Sequence, residues 1–343
     1  MNNPLSEDLN FILAATRQSW EGLRGERLFL TGGTGFFGCW LLESFVWAND
    51  QLDLGATAVV LTRNPGAFAR KVPHLAAHPA VRLHPGNVRD FDYPAGPFAR
   101  IIHAANDSHA ALDTIVQGTR RVLEFARQCG TREVLLTSSG AVYGTQPAKL
   151  LHLPEGYPGR PAPTAPASLY SQGKWLAEVL CMLHNTRYGL RAKIARCFAF
   201  VGPYLPLGAN FAVGNFLRDG LSGGPIRVQG DGTPYRSYLY AADLAVWLWT
   251  ILDRGQPGRP YNVGAEEAIN IGDLARLVAG QFRPAPEVEI ALSPTPGVPA
   301  PRYVPATTRA REELGLHAAT GLVEALRKTL AWHTATEQIR SSS

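Results

Sequence analysis

The chain has 343 residues, of which 45% are hydrophobic and 18% are charged; this composition is typical of a globular protein and excludes intrinsic disorder. Its formal net charge of +5 suits an anionic small ligand but is too weak and scattered to predict nucleic acid as a partner. Its apolar stretches are too short for a membrane span, no signal peptide is visible and its four cysteines lack metal-ligand spacing, so we expect a cytoplasmic protein with no metal site and no membrane contact.

Residues 1–25 are predicted to form a helical extension, because Leu9, Ile12 and Trp20 recur at helical spacing. Short apolar runs follow, and each of them predicts a strand. The predicted strands lie at 27–31, 58–62, 81–83, 100–103, 133–137 and 193–196. Helical stretches separate most of these runs. This alternation predicts an α/β fold with a doubly wound parallel sheet that helices cover on both faces.

A proline-rich segment interrupts the alternation of strands and helices further along the chain. Residues 154–166 contain five prolines, which excludes a helix or a central strand. We interpret this segment as a loop over the site, with a plain surface linker as the alternative. We predict a main domain at 26–200, a smaller and irregular C-terminal lobe at 201–335 that is partly interleaved with it, and a disordered tail at 336–343.

A glycine-rich turn follows the first predicted strand. Residues 31–38 read Thr-Gly-Gly-Thr-Gly-Phe-Phe-Gly and match both the GxGxxG and the GxxGxxG spacing of a dinucleotide-binding turn. Glycines let the backbone approach a pyrophosphate, and the amides and dipole of the following helix favour its negative charge. A purely structural turn is the alternative. The motif predicts a Rossmann-type fold in which the cofactor-binding residues of the turn are Gly32, Thr34, Gly35, Phe36, Phe37 and Gly38.

The end of the second predicted strand indicates which nicotinamide cofactor binds. An Asp or Glu there favours the free 2′-hydroxyl of NAD(H), whereas an Arg accommodates the 2′-phosphate of NADP(H). Here the strand runs into Thr62, Arg63 and Asn64, without a carboxylate. We therefore expect NADP(H) to be favoured over NAD(H), with Arg63 and Asn64 in the cofactor site. The alternative is a solvent-exposed Arg63 beside an NAD site.

A serine, a tyrosine and a lysine together suggest acid–base chemistry. Tyr170 and Lys174 are four residues apart in a predicted helix and share one face of it. A tyrosine that exchanges protons near pH 7 must lose about three pKa units, which a nearby ammonium and an oxidised nicotinamide can supply. A hydroxyl must also hold the substrate oxygen, and Ser138 and Ser139 at the end of the fifth predicted strand are candidates.

In these motifs the chain resembles the extended short-chain dehydrogenases/reductases, in the branch that acts on nucleotide sugars. The resemblance covers about residues 26–335 and rests on motifs at 31–38, 103–105, 137–144, 170–174, 196–203 and 230–243. It implies that 26–200 binds NAD(P) and that the C-terminal lobe binds a nucleotide-diphosphate sugar. It also implies that Ser139, Tyr170 and Lys174 are catalytic.

The resemblance implies further binding residues. Those implied for the cofactor are Asn87, Val88, Ala104, Ala105, Tyr170 and Lys174. Those implied for the substrate are Ser138, Ser139, Asn210, Arg236 and Arg302. Arg236 inherits a phosphate-clamping role, which suits its guanidinium because the planar fork matches phosphate oxygens. Arg302 lies where the family often has a second phosphate-binding arginine.

Two residues bear on the reaction that the resemblance implies. Related 4,6-dehydratases carry Asp-Glu where this chain has Gly140 and Ala141, and related decarboxylases carry Glu where it has Ala141. The resemblance therefore disfavours both reactions and implies an oxidoreductase at C4 of the sugar, in the first place a 4-keto reductase that uses NADPH. The alternatives are a 4-epimerase with a retained cofactor and, less expected, a catalytically silent NADP-binding module.

The resemblance also implies a homodimer. Members of the family pair two helices of each subunit into a four-helix interface, and the corresponding segments here are 114–128 and 170–188. We expect an apolar stripe on the first segment that the sheet leaves partly uncovered. This stripe consists of Val116, Val122, Leu123 and Ala126.

Overall fold

The computed structural model describes residues 3–105, 111–209 and 211–341. Its strands are β1 Arg27–Thr31, β2 Thr57–Thr62, β3 Val81–Pro85, β4 Arg100–His103, β5 Glu133–Ser139, β6 Arg191–Cys197, β7 Phe200–Val201, β8 Ile226–Val228, β9 Tyr235–Arg236, β10 Leu239–Tyr240, β11 Pro260–Val263, β12 Ile269–Asn270, β13 Val288–Ile290 and β14 Arg302–Tyr303. Its helices are α1 Ser6–Glu21, α2 Phe36–Gln51, α3 Pro65–Lys71, α4 Pro73–Ala76, α5 Ala111–Gln128, α6 Leu169–Tyr188, α7 Ala212–Leu221, α8 Ala241–Arg254, α9 Ile271–Ala279, α10 Thr308–Leu314 and α11 Leu322–Ser341. Within these ranges no helix combines the length and the hydropathy that crossing a membrane requires.

Seven parallel strands form the central sheet in the order β3-β2-β1-β4-β5-β6-β11. The strand order reverses direction between β1 and β4, so the chain winds from this point towards both edges of the sheet. The six predicted strands are all present, with ends that differ by at most two residues. The prediction of a doubly wound, Rossmann-type α/β fold is therefore confirmed.

The apolar core forms two layers, one on each face of the central sheet. Successive side chains of a strand point to opposite faces, so Leu28 and Leu30 of β1 pack in one apolar cluster and Phe29 packs in the other. The first cluster also holds buried residues of α1, α2 and α8, and the second holds residues of α5 and α6. Helices thus cover both faces of the sheet, which leaves the carboxyl ends of the strands as the accessible edge.

The predicted N-terminal extension is helical and belongs to the main core. Helix α1 buries Leu9, Ile12 and Trp20, and the Trp20 ring lies 4.5 Å from that of Trp249 on α8. At the other end of the chain, helix α11 continues to Ser341, so residues 336–341 of the expected disordered tail are helical. This helix is tied to α1, since Lys328 Nζ donates to Asp8 Oδ1 at 2.7 Å.

The chain beyond residue 200 is shared between two parts of the fold. It forms small sheets of two or three strands, in the orders β12-β9-β14, β13-β8 and β10-β7. It also returns to the central sheet, where β11 pairs with β6 from Pro260–Ile194 to Val263–Cys197. We did not predict β11, in which Pro260 and Asn262 interrupt the apolar run that marks the other strands of this sheet. The buried amide of Asn262 donates to Leu153 O and Ala306 O.

Candidate active site

A cavity of about 1060 Å³ opens at the carboxyl ends of the central strands. Residues at or just beyond the ends of β1, β2, β4, β5 and β6 line one side of it, and residues around β8, β9 and β14 line the other. Ligands of open α/β sheets bind at this edge, near the point where the strand order reverses. The cavity is therefore the candidate active site, between the sheet and the C-terminal lobe.

Tight backbone packing explains the glycines of the turn after β1. Gly32 has a φ of +74°, and a Cβ at this position would lie 2.4 Å from the backbone of Ala104. A Cβ on Gly38 would lie 2.3 Å from the carbonyl oxygen of Gly32, so Gly38 lets α2 pack on the turn. Of the six predicted turn residues all but Gly38 line the cavity. The turn therefore forms an open cradle of backbone at the N-terminus of α2, which fits a pyrophosphate.

The residues after β2 and β3 form the next part of the cavity wall. Arg63, Asn87 and Val88 line it, and these are residues that we expect at the adenosine end of a dinucleotide. Asn64 is not among the lining residues, because its side-chain oxygen caps helix α3 by accepting a hydrogen bond from Ala67 N at 2.9 Å. The structure thus places Arg63 at the cavity and uses the side chain of Asn64 to begin a helix.

A buried hydrogen-bond network holds the end of β4 against β1. Thr31 Oγ1 lies 2.7 Å from His103 Nδ1 and accepts a hydrogen bond from Ala105 N at 3.2 Å. Burial, with a smaller effect from the Lys174 ammonium, lowers the pKa of His103 to about 3, so the imidazole is neutral. The network orients the backbone at Ala104 and Ala105, both of which line the cavity as predicted.

The predicted catalytic residues Ser139, Tyr170 and Lys174 all line this cavity. Lys174 Nζ donates to Thr137 O at 2.9 Å and lies 5.9 Å from the centre of the Tyr170 ring. Burial lowers the pKa of Lys174 to about 8, since a low-dielectric environment disfavours the ammonium. Ser139 Oγ accepts a hydrogen bond from Ala141 N at 3.1 Å. A phenol beside an ammonium and a hydroxyl can exchange a proton with a substrate alcohol.

Ser138, which we predicted to bind substrate, has its hydroxyl turned to a different partner. Its Oγ donates to Glu178 Oε1 at 2.5 Å, and the side chain is buried. Glu178 lies on α6 and is held in turn by Arg196 on β6. Ser138 therefore contributes to the cavity wall, but its hydroxyl is committed to the protein.

The two predicted phosphate-binding arginines lie on opposite faces of a small sheet. Strands β9 and β14 are parallel, with Arg302 beside Tyr235 and Tyr303 beside Arg236. Because adjacent residues of a strand point to opposite faces, Arg236 and Tyr303 face the cavity, which both line. Arg302 instead lies 4.4 Å from the centre of the Tyr235 ring and does not line the cavity. Asn210, also predicted for the substrate, lies outside the described residues.

Sequence analysis missed many of the lining residues. Among those with polar side chains that could bind a ligand are Arg89, Arg227 and Tyr303. Tyr303 packs against Phe198, with ring centres 4.6 Å apart, and its hydroxyl lies 3.5 Å from Ser139 Oγ. No local pattern signals this role, because Tyr303 reaches the site only through the pairing of β14 with β9. Arg227 lies next to the 230–243 motif, which is a signal that could have found it.

The cavity wall carries positive charge without negative charge. Its cationic side chains are Arg63, Arg89, Lys174, Arg227 and Arg236. No Asp or Glu is among the lining residues of the described chain. In the same part of the chain no group of three His, Cys, Asp or Glu side chains is arranged to hold a metal ion. This wall suits an anionic ligand, such as a diphosphate.

Two expectations about the surroundings of the site differ from the structure. None of the described residues that line the cavity belongs to 154–166; the chain entering this loop is instead paired with the C-terminal lobe through the Leu153–Pro305 bridge.

On α5, Val122, Leu123 and Ala126 are buried in the core rather than left uncovered. The exposed apolar stripe is on α6, where it consists of Leu176, Val179, Met182 and Leu183.

Comparison with known proteins agrees with this architecture. The model of the NAD dependent epimerase/dehydratase family matches residues 28–264. UDP-glucuronic acid decarboxylase 5 of Arabidopsis thaliana is 29% identical over 305 residues, which cover 88% of this chain and 87% of the relative. A dTDP-glucose 4,6-dehydratase of Streptomyces griseus is 27% identical over 327 residues, which cover 89% and 93%.

Solved structures show the same fold. A UDP-galactose 4-epimerase superimposes with a TM-score of 0.70 and 25% identity, over 90% of this chain and 99% of that chain. The dTDP-glucose 4,6-dehydratase from Bacillus anthracis, solved in complex with NAD, gives a TM-score of 0.75 at 20% identity, over 91% and 98%.

These relatives correct one expectation and confirm another. We disfavoured decarboxylases and 4,6-dehydratases on the basis of Gly140 and Ala141, and this was wrong, because the named relatives are enzymes of these two kinds. A difference at Gly140 and Ala141 alone is weak evidence against a reaction type when the similarity to enzymes of that type extends along nearly nine-tenths of the chain. The resemblance to the extended short-chain dehydrogenases/reductases is confirmed, and the chain belongs to the NAD dependent epimerase/dehydratase family.

Proposed function

We propose that this protein oxidises the C4 hydroxyl of a nucleotide-diphosphate sugar and returns hydride to the opposite face of the same carbon, as a 4-epimerase. The observation that carries this proposal is the convergence of Ser139, Tyr170 and Lys174 on one cavity with the glycine turn. Epimerisation needs one proton-exchanging group, one hydride carrier and room for the keto sugar to turn. The 25% identity to a UDP-galactose 4-epimerase of known structure supports it.

Each catalytic side chain has one task in this proposal. A nicotinamide cofactor, held with its pyrophosphate at the glycine turn, would supply the hydride acceptor and donor. Tyr170 removes the proton from the sugar hydroxyl and returns it to the ketone oxygen in the second half of the reaction. Lys174 stabilises the phenolate, since its ammonium lies beside the ring. Ser139 holds the sugar oxygen by a hydrogen bond.

The cationic wall supports a diphosphate as the charged part of the substrate. Arg236 faces the cavity from β9, and its Nη1 donates to the carbonyl oxygen of Tyr235 at 2.8 Å. Its guanidinium lies 5.7 Å from the centre of the Tyr303 ring. These contacts hold the Arg236 guanidinium between the C-terminal lobe and the reacting groups. There it can donate two parallel hydrogen bonds to the oxygens of a phosphate group.

Decarboxylation of a nucleotide-linked uronic acid is a second candidate. The 29% identity to a UDP-glucuronic acid decarboxylase favours it, as does a cavity without carboxylates in the described chain, because a sugar carboxylate would meet no like charge there. The first step is the same in both proposals. A ketone at C4 is β to the acid group on C5, so that the C–C bond can break with loss of CO₂ while the electrons pass to the ketone.

We also infer that NADP(H) binds more tightly than NAD(H). The support is Arg63, which lines the cavity after β2 at a position where the chain has no carboxylate. The dehydratase from Bacillus anthracis was solved with NAD, so this preference distinguishes our proposal from that neighbour.

A homodimer is the assembly that we propose. The exposed stripe on α6 is apolar along about two turns, and Leu176 from this stripe also lines a groove against α5. Paired with its copy, such a stripe would remove apolar surface from water. Light scattering at micromolar concentration should show twice the 37.2 kDa chain mass, and a single chain mass would contradict the proposal.

Product analysis tests the reaction. The protein is incubated with UDP-glucose, UDP-galactose, UDP-glucuronic acid and dTDP-glucose, with NAD⁺ or NADP⁺, and products are identified by NMR and mass spectrometry. We expect a C4 epimer without net change in the cofactor. Loss of CO₂ would instead establish the second candidate, and loss of water a dehydratase. In a parallel incubation with NADPH and a 4-keto nucleotide sugar, net consumption of NADPH would establish a reductase.

The matched control is Tyr170→Phe, which keeps the ring and removes the proton-exchanging hydroxyl. We expect turnover to fall by at least about a hundredfold while the cofactor still binds. Ser139→Ala should be milder, because it removes a hydrogen bond rather than the proton donor. Near-normal turnover in Tyr170→Phe would refute the proposed mechanism for every outcome above.

A further inference from the structure

Two consecutive residues at the end of β5 are each held by helix α6. The carbonyl oxygen of Thr137 accepts a hydrogen bond from Lys174 Nζ at 2.9 Å, and Ser138 Oγ donates to Glu178 Oε1 at 2.5 Å. Lys174 and Glu178 are one turn apart on α6. The next residue of the strand is Ser139. These two contacts therefore set the distance between Ser139 and helix α6, which carries Tyr170.

Glu178 is a buried carboxylate that one arginine compensates. Arg196 Nε donates to Glu178 Oε1 at 3.0 Å, and Arg196 Nη2 donates to Oε2 at 2.6 Å. The exposed fractions of the two side chains are 14% for Arg196 and 8% for Glu178. Separating such a pair leaves an uncompensated buried charge and is costly. The carboxylate is therefore held rigidly, and Oε1 also accepts the Ser138 hydroxyl.

We propose that Glu178 is a positioning residue for the reaction: it holds the end of β5 through Ser138 and, with Arg196, sets the electrostatic balance around Tyr170 and Lys174. This inference rests on the catalytic roles proposed above for the tyrosine and the lysine. Since no carboxylate lines the cavity in the described chain, Glu178 supplies a negative charge from directly behind the wall.

Five other titratable groups around this cluster are neutral near pH 7. They are His103 on β4, Cys181 on α6, Cys197 on β6, Tyr303 on β14 and Tyr143 after β5. Burial raises the pKa of the cysteines and tyrosines and lowers that of the histidine. Glu155 also lies beside the cluster: its backbone carbonyl accepts a hydrogen bond from Arg196 Nη1, and its carboxylate accepts the Asn262 N–H.

The sign of the effect follows from the charges. Removing the charge of Glu178 leaves Arg196 uncompensated beside the site. An added positive charge favours the phenolate of Tyr170 and disfavours the ammonium of Lys174, so both groups should titrate at lower pH. Removing Arg196 instead should shift both titrations to higher pH. A contact that is only structural would change stability or turnover without moving either titration.

The titration of Tyr170 can be followed in the NADP⁺-bound protein without a substrate. Phenolate absorbance is recorded for each protein and for the same protein carrying Tyr170→Phe, and the difference isolates this residue. We expect the midpoint to fall by about one pH unit in Glu178→Gln and to rise by a similar amount in Arg196→Gln. The two single variants carry expected shifts of opposite sign, so either one decides the test if the other fails to fold. The double variant should titrate close to the unmodified protein.

Ser138→Ala removes the hydrogen bond to Glu178 but keeps the charge of its carboxylate. This variant should leave the midpoint of the Tyr170 titration unchanged. Equal midpoints in the unmodified protein and in Glu178→Gln would overturn the inference, even where turnover falls. Equal midpoints in the unmodified protein and in Arg196→Gln would overturn it likewise. Normal turnover in Tyr170→Phe would overturn the proposed function instead, so the two failures are distinguishable.

Discussion

The hydroxyl of Tyr303 lies 3.5 Å from Ser139 Oγ, although 164 positions separate the two residues in the chain. Ser139 ends a strand of the central sheet, and Tyr303 belongs to a two-residue strand of the C-terminal lobe. Burial raises the pKa of Tyr303, so it remains a neutral phenol that can donate a hydrogen bond. The two hydroxyls are therefore close enough to bind the same sugar oxygen together.

The first prediction tests this pair of hydroxyls. Tyr303→Phe keeps the ring that packs on Phe198 and removes one hydrogen bond, so kcat/KM should fall by up to about tenfold. Tyr143→Phe is the matched control, because the Tyr143 hydroxyl donates to Asn262 Oδ1 at 2.7 Å and does not line the cavity. Steady-state kinetics on the best substrate of the panel decide this, and an unchanged value for Tyr303→Phe would show that its hydroxyl does not touch the sugar.

The second prediction compares the two arginines of the small sheet. Arg236→Gln should raise KM for the nucleotide sugar by about tenfold to a hundredfold, since a charge-assisted phosphate contact contributes about 1.5–3 kcal/mol. Arg302→Gln should leave KM within about twofold, because that side chain lies over Tyr235 on the face away from the cavity. A larger effect at Arg302 than at Arg236 would reverse our assignment of the phosphate-binding face.

Cofactor choice is the subject of the third prediction. NADPH should bind more tightly than NADH by about tenfold to over a hundredfold, and Arg63→Ala should remove most of this difference. Fluorescence titration of both reduced cofactors measures it. Arg70→Ala is a suitable control, since Arg70 is a nearby cation on α3 that does not line the cavity. Equal affinities in the unmodified protein would show that Arg63 does not bind a 2′-phosphate.

The fourth prediction concerns the alkaline limit of activity. Burial lowers the pKa of Lys174 to about 8, so the ammonium is present below this pH and is lost above it. If the ammonium stabilises the Tyr170 phenolate, turnover should decline as the pH rises through about 8. The pH–rate profile measures this decline. A profile that stays flat to about pH 10, the ordinary range of lysine, would contradict the role given to Lys174.

The fifth prediction tests the N-terminal helix. Trp20 is fully buried against α8, so Trp20→Ala should lower the free energy of unfolding by about 3–5 kcal/mol. Phe11→Ala on the same helix should change it by less than about 1 kcal/mol, because Phe11 is 37% exposed. Chemical denaturation followed by tryptophan fluorescence and circular dichroism provides both values. Similar losses for the two variants would mean that α1 is not part of the cooperative core.

Local sequence was sufficient for much of the central sheet. A buried parallel strand needs a short run of apolar residues, and each predicted run is a strand in the structure. The glycine turn was also predictable. At Gly32 and Gly38 the adjacent backbone comes so close that a Cβ would clash with it, so only glycine fits at these positions. The tyrosine–lysine spacing likewise follows from the geometry of a single helix.

Periodicity in the sequence thus predicted the fold class, and local spacing predicted the Tyr170–Lys174 pair, whereas the choice of Ser139 rested on the resemblance to the family. Only the tertiary structure decided that Ser138 donates to Glu178 and that Arg302 faces away from the cavity. These outcomes depend on which strands pair and in which register, and a shift of one residue in a strand turns every side chain to the other face. Long-range pairing, rather than local propensity, therefore selects which polar groups reach the site.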